Sequence, residues 1–258
     1  MPHPHGTFGW IDLSTDDLDG AESFYTSLFD LQSRHAPIDD QSHYVMLVKA
    51  GRNVAGIGAK PDPDMPSAWQ SYIYVDDVDE VVGRVAELGG SVMIEPFDVL
   101  ESGRMSMIAD PTGAVVSLWQ AKGHGGGEVF NEHGTHTWNE LITRDVAAAR
   151  AFYAGLVGWT YQEVDMGDGA TYHVAIVDGK GEDPSNGGIM DGTGIVTDEV
   201  PNHWDVYFNV DDTDRALAKA TELGGSVVVP PMDAPVGRFA YLADPGGARF
   251  YVMTPAQA

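Results

Sequence analysis

Two acids stand where side chains could handle a proton. Asp12 follows Trp10 by two residues, and Glu140 follows Trp138 by two. Side chains alternate along a strand, so each Trp and its acid share one strand face. Phe8 joins the first pair on this reading, and His136 the second. A carboxylate set among aromatic rings loses hydration and its pKa rises. It can then accept a ligand proton, or hold a hydroxyl or cationic group. The competing reading is structural: each acid caps backbone N–H groups or pairs with an arginine such as Arg104 or Arg238. Trp10 and Trp138 divide the same way, between stacking platforms and core. A metal alternative also stands, with His136, Glu140 and His173 offering two imidazoles and a carboxylate to a divalent ion. Arg104 and Arg238 each follow a glycine, and each would clamp an anionic group or pair with a nearby surface acid. Trp69 and Trp204 are read as residues of a domain interface.

The elements that position these residues come in repeated copies. Trp10–Tyr25, WIDLSTDDLDGAESFY, returns 128 residues later as WNELITRDVAAARAFY over Trp138–Tyr153. Each copy reads as a strand, an acidic turn and a helix ending on Phe-Tyr. Val75-Asp-Asp-Val-Asp79 returns as Val210-Asp-Asp-Thr-Asp214, Glu87-Leu-Gly-Gly-Ser-Val92 as Glu222–Val227, and Ala109-Asp-Pro-Thr-Gly-Ala114 as Ala243–Ala248, at offsets of 134 or 135. The second copy carries its extra residues in polar loops around 165–170 and 179–188. The duplication predicts tandem domains over 1–122 and 130–258, joined by a Gly-rich linker over 123–129. Inside each, Thr15-Asp-Asp-Leu-Asp19 resembles Val75–Asp79, a second and weaker repeat. Every such Asp run suits a helix N-cap, where a short carboxylate accepts from unsatisfied backbone N–H groups. Helices are predicted at Leu18–Phe29, Val78–Leu88, Val146–Leu156 and Thr213–Leu223, with Gly89-Gly90 closing the second. Strands are predicted at Phe8–Ser14, Arg34–Ile38, His43–Lys49, Val54–Ala59, Ser71–Val75, Ser91–Glu95, Gly103–Ala109 and Ala114–Gln120. Asp110-Pro-Thr-Gly113 is a turn, with Pro presetting φ and Gly relaxing the exit.

These motifs resemble the vicinal oxygen chelate superfamily of glyoxalases, bleomycin-resistance proteins and extradiol dioxygenases. The resemblance covers nearly the whole chain, twice. It is nearest to tandem glyoxalase-like proteins of actinobacteria that carry a hydroxylase label. It implies an α+β fold: two tandem glyoxalase-like domains, each of paired βαβββ modules with curved mixed sheets around a cavity. The family's metal-ligand positions, carried over by motif, fall on Trp10, Gln70 and Ser117, and on Trp138, Asp205 and Tyr251. Trp cannot ligate a metal, because its indole N–H only donates. Ser and Tyr are poor substitutes for a closing carboxylate. If these positions face the cavity, Tyr72 and Tyr207 face it as well. Such an aromatic lining suits a flat, partly hydrophobic ligand.

Composition narrows the classes further. The chain has 258 residues, a net charge of −25, only 14 Lys and Arg, and no Cys. That charge disfavours nucleic acid and anionic membranes. Without Cys there is no disulfide, thiolate nucleophile or zinc–thiolate site. No apolar run approaches the ~18 residues of a membrane span, and no basic n-region opens the chain, so a cytoplasmic protein is expected. No P-loop, dinucleotide fingerprint or nucleophile elbow is present. The resulting expectation is a small-molecule-binding protein that needs no cofactor. It would bind or modify an aromatic or polyketide-like metabolite or antibiotic, with Asp12 and Glu140 as catalytic groups. Its form would be a monomeric pseudo-dimer or a homodimer. The alternative is a glyoxalase-type lyase or isomerase, or an oxygenase, using a divalent metal ion.

Overall fold

The computed structural model describes residues 3–38, 42–167, 169–181 and 183–256. Asp168 and Glu182, in the two loops predicted to hold the second copy's extra residues, lie outside them. In the first half the order is β1 (Phe8–Thr15), α1 (Leu18–Phe29), β2 (Gln32–Pro37), β3 (His43–Lys49), β4 (Arg52–Ala59), β5 (Ala68–Tyr74), α2 (Val78–Val85), β6 (Ser91–Val99), β7 (Gly103–Ala109) and β8 (Val115–Ala121). The second half repeats it with β9 (His136–Thr143), α3 (Val146–Val157), β10 (Thr160–Gly167), β11 (Ala170–Ile176), β12 (Ser185–Asp191), β13 (His203–Asn209), α4 (Thr213–Glu222), β14 (Ser226–Ala234), β15 (Gly237–Ala243) and β16 (Arg249–Pro255).

Each half contributes one eight-stranded sheet, ordered β2-β3-β4-β1-β5-β8-β7-β6 and β10-β11-β12-β9-β13-β16-β15-β14. The sheets are mixed. β1 runs parallel to β4 and β5 parallel to β8, while the hairpin neighbours are antiparallel. This is the α+β, paired-module fold expected.

The acidic runs act as predicted. Asp17, Asp77, Asp145 and Asp212 cap α1 to α4, each side chain accepting a bond from the backbone N–H three residues on. Gly89, at φ +88°, ends the turn after α2, where a side chain would be strained. β5 starts earlier than predicted and so includes Trp69 and Gln70. β6 runs past Pro96, tolerable because β6 is the last strand of its sheet and Pro there withholds no ladder N–H that a neighbour needs.

Residue contacts divide the chain into two compact units, each drawing on both sequence halves. The first comprises residues up to Gly9, Ser71–Gly126 and Trp138–Asp205; the second comprises Trp10–Gln70, Gly127–Thr137 and Val206–Ala258. In the second unit, Ile11 and Leu13 of β1 pack with Phe24, Tyr25 and Leu28 of α1 and with Phe208 and Phe250. In the first, Ile73, Ile108 and Leu118 pack with Val81 and Val85 of α2 and with Phe152, Tyr153 and Trp159. Alternation then sends the intervening residues of these strands to the face away from the helices.

Each core holds one hydrogen-bonded chain of Trp, Tyr and Asp. Trp69 Nε1 donates to the Tyr25 hydroxyl (3.0 Å), which donates to Asp244 Oδ2 (3.0 Å). Trp204 Nε1 donates to the Tyr153 hydroxyl (2.9 Å), which donates to Asp110 Oδ2 (3.2 Å). The Phe-Tyr end of one half's first helix is thereby tied to the Asp-Pro turn of the other half. Burial, then the adjacent carboxylate, pushes both tyrosine hydroxyls well above their ordinary pKa.

Candidate functional site

A second kind of Trp–Tyr–acid group lies on the helix-free faces. In the second unit, Tyr44 of β3 lies across β4 towards β1. Its hydroxyl accepts from Trp10 Nε1 (3.2 Å) and donates to Asp12 Oδ2 (3.0 Å). The crossing is possible because Gly56, opposite Asp12 in the ladder, has no side chain: a Cβ there would overlap the Tyr44 hydroxyl. In the first unit the same group is built from Trp138, Glu140 and Tyr172. Trp138 Nε1 donates to the Tyr172 hydroxyl at 2.8 Å, and that hydroxyl is hydrogen-bonded to Glu140. Gly188, opposite Glu140, plays the part of Gly56.

The electrostatics favour a fixed proton. Burial of its hydroxyl end, then the charge of Glu140, raises the Tyr172 pKa well above the usual tyrosine value. Tyr172 is therefore a standing donor and Glu140 its acceptor. Glu140 is buried, whereas Asp12, Tyr44, Tyr172 and Trp138 are half-buried. Each acid is bonded to a tyrosine hydroxyl, and the two arginines have other partners. Arg104 is taken by Asp79 (2.6 and 2.8 Å) and Arg238 by Asp214 (2.9 and 3.0 Å). Both guanidiniums are surface pairs, not anion clamps.

Tyr44, Tyr172, Gly56 and Gly188 escape the sequence reading. Their signal was present: Tyr44 and Tyr172 keep the 128-residue offset of the opening motifs, and Ala55-Gly56-Ile57 aligns with Gly187-Gly188-Ile189.

The other predicted residues form rows across neighbouring strands. In the first unit, Tyr72 of β5 stands opposite Ser117 of β8, Ser117 opposite Met107 of β7, and Met107 opposite Ile94 of β6. The next row on that face is Tyr74, Trp119, Met105 and Phe97. In the second unit the matching row is Tyr207, Tyr251, Tyr241 and Val229. Gln70 is a half-buried residue of β5. Asp205 is buried, with Oδ2 3.2 Å from His203 Nε2.

Two expectations fail. Phe8 does not share the surroundings of Trp10. It packs on Trp159 (5.5 Å) and Trp204 (5.0 Å) in the first unit's core, where Asn186 Oδ1 accepts from its backbone N–H. The trio His136, Glu140 and His173 is not a metal centre. His173 neighbours Tyr172 on β11, so alternation turns it away from Glu140. It lies 3.7 Å from Glu163, where burial and then Arg150 lower its pKa. His136 instead meets Phe130 edge-on. Among the described residues no three His, Asp or Glu side chains are grouped to hold an ion.

Known proteins can now be set beside this geometry. The model of the Glyoxalase/Bleomycin resistance protein/Dioxygenase superfamily matches residues 7–118 and again 133–252. The chain belongs to this superfamily. "Putative glyoxylase CFP32" of Mycobacterium tuberculosis is 46 % identical over 256 residues, covering 97 % of this chain and 95 % of that protein. The anthracycline biosynthesis protein DnrV of Streptomyces peucetius is 35 % identical over 262 residues, covering 96 % and 93 %. Among solved structures, the Mn(II)-bound glyoxalase of Novosphingobium aromaticivorans aligns with a TM-score of 0.65 at 15 % identity, covering 98 % of this chain and 83 % of that one. The 2,3-dioxygenase LapB of Pseudomonas sp. KL28 aligns at 0.66 and 16 %, covering 98 % and 94 %. At these identities the structures establish the fold.

These neighbours overturn the expectation that no cofactor is involved, because the shared fold holds Mn(II) in one of them. The residues of this chain do not fit such an ion at the family's ligand positions. The indole N–H groups of Trp10 and Trp138 are donors, committed to Tyr44 and Tyr172. Tyr251 is stacked between two other tyrosines, and Ser117 offers only a hydroxyl. Among the described residues no helix is long and apolar enough to cross a membrane.

Proposed function

We propose that this protein binds a flat, hydroxylated aromatic small molecule of the fused-ring polyketide kind and handles one of its protons at a tyrosine–carboxylate pair. The repeated Trp–Tyr–acid group carries the reading. An indole fixes the tyrosine oxygen, the tyrosine proton is directed at the carboxylate, and the carboxylate is the basic group of the trio. A ligand hydroxyl or acidic C–H set against Asp12 or Glu140 would give up its proton to the carboxylate, while the tyrosine O–H steadies the charge. The first unit's rows, Tyr72–Ser117–Met107 and Tyr74–Trp119–Met105, supply apolar area and ring faces for such a ligand. The relative named for anthracycline biosynthesis, a class built on fused hydroxylated rings, points the same way.

The test is titration of a hydroxyanthraquinone into the protein, followed by tryptophan fluorescence. Wild type should bind with quenching. The paired variants Asp12→Asn/Tyr44→Phe and Glu140→Gln/Tyr172→Phe should weaken binding at whichever pair serves. Unchanged affinity in both would overturn the assignment.

A second reading, lyase or oxygenase turnover, is favoured by the glyoxylase name of the 46 % identical relative. Its test is conversion of a methylglyoxal–thiol adduct with Mn(II) supplied. A rate no higher than that of the metal alone would dismiss it.

A further inference from the structure

The two strand rows built from equivalent positions have diverged. In the second unit, Tyr251 stacks on Tyr207 (4.2 Å between centroids, planes 6° apart) and on Tyr241 (4.2 Å, 18°). Three rings in a line occupy both ring faces of the central residue, so the row fills itself. In the first unit the central position is Ser117, flanked by Tyr72 and Met107. No ring lies there. The Ser117 hydroxyl is fully buried and has no hydrogen-bond partner among the described residues. A buried hydroxyl without a partner is unusual enough to need an explanation, and an oxygen of a bound molecule is one. Met107 beside it is half-buried and unbranched, a side chain that can move aside for a guest. The outer members of the first unit's two rows, Ile94 and Phe97, are exposed apolar residues that extend the same face to solvent.

We propose that the chain takes one aromatic ligand, on the Tyr72–Ser117–Met107 row. The Ser117 hydroxyl bonds a carbonyl or hydroxyl oxygen of that ligand, and the Tyr207–Tyr251–Tyr241 stack is a closed counterpart that takes none. This rests on the reading of an aromatic ligand given above. Ser117 is then a specificity residue: it selects a ring system carrying an oxygen over a bare hydrocarbon of the same outline.

The experiment is calorimetric titration of full-length protein with a hydroxyanthraquinone and, separately, with unsubstituted anthracene held in solution by cyclodextrin. Wild type should bind one hydroxyanthraquinone per chain. Ser117→Ala should weaken that binding roughly fivefold, the worth of one ordinary hydrogen bond, and leave anthracene binding unchanged. Its melting temperature should not fall, since no protein partner is lost. Ser117→Tyr, which recreates the closed row, should abolish binding, and Tyr251→Ser should keep it. Two ligands per chain, Ser117→Ala binding like wild type, or loss of binding in Tyr251→Ser would overturn the inference while leaving the aromatic-ligand reading intact. No binding of hydroxyanthraquinone by wild type would defeat both.

Discussion

The chain uses one hydrogen-bonded group, indole to phenol to carboxylate, in two settings. In the cores, Trp69–Tyr25–Asp244 and Trp204–Tyr153–Asp110 end on acids whose second oxygen is also engaged. Asp110 Oδ1 accepts from the Thr112 backbone N–H (2.8 Å), the Thr112 hydroxyl (2.7 Å) and the Ala114 N–H (3.2 Å). Asp244 Oδ1 accepts from Ala248 N–H (2.8 Å). Such a carboxylate organises a turn. On the helix-free faces, Trp10–Tyr44–Asp12 and Trp138–Tyr172–Glu140 sit in mid-strand, with half-buried tyrosines. The same three groups organise turns in the cores, and on the faces they are the groups proposed above for ligand chemistry.

Removing a core acid should have the largest effect. Asp110→Ala or Asp244→Ala strands a buried tyrosine hydroxyl and turn N–H groups, and should destabilise by about 3 kcal/mol in denaturant titration. A loss below about 1 kcal/mol would break the distinction between the two settings.

Next is Gly188→Ala. Its Cβ would meet the Tyr172 hydroxyl and displace the ring from Glu140. A cost of about 1–3 kcal/mol is expected, and Glu140→Gln in that background should then change ligand affinity no further.

Alkaline pH tests the core groups on another axis. Tyr25 and Tyr153 hold their protons above the pKa of an unfolded tyrosine, near 10. The folded state therefore keeps protons that the unfolded state has released. The stabilising contribution is complete below about pH 10 and is lost as pH rises above it, by about 1.4 kcal/mol per pH unit for each tyrosine. The double variant Tyr25→Phe/Tyr153→Phe should show a flatter decline in unfolding free energy between about pH 10 and 11.5. An unchanged slope would show that these hydroxyls are not linked to folding.

The smallest effect belongs to the surface. Arg104→Ala removes an exposed ion pair with Asp79, and should leave melting temperature and ligand affinity unmoved. A clear loss of affinity would restore Arg104 as an anion clamp.

Much of this was legible in the sequence because it is local. Asp caps, the Asp-Pro turns and the Trp-x-acid alternation follow from residues a few positions apart, and the repeat multiplied the signal. Asp12 and Glu140 were set on the same face as Trp10 and Trp138 because period-two alternation holds from Trp10 to Leu13 and from Trp138 to Leu141. It failed at Phe8, where tertiary bonds to Asn186 hold the strand's start in another environment. Tyr44 and Tyr172 were missed because a ring crossing a neighbouring strand depends on a glycine 12 or 16 residues away, and no short spacing encodes that. The trio of His136, Glu140 and His173 failed for a related reason: the reading ignored that His173 and Tyr172 must point to opposite faces. Trp69 and Trp204 were placed at an interface. They lie where residues of both sequence halves build a common core within each unit.

The most direct test compares affinity with stability in two double variants, Tyr44→Phe/Tyr172→Phe and Tyr25→Phe/Tyr153→Phe, by hydroxyanthraquinone titration and thermal melting. The face variant should lose binding while melting near wild type, and the core variant should melt lower while still binding at a temperature where it is folded. Binding retained by the face variant, or lost only in step with melting temperature, would contradict the assignment of the face tyrosines to ligand chemistry.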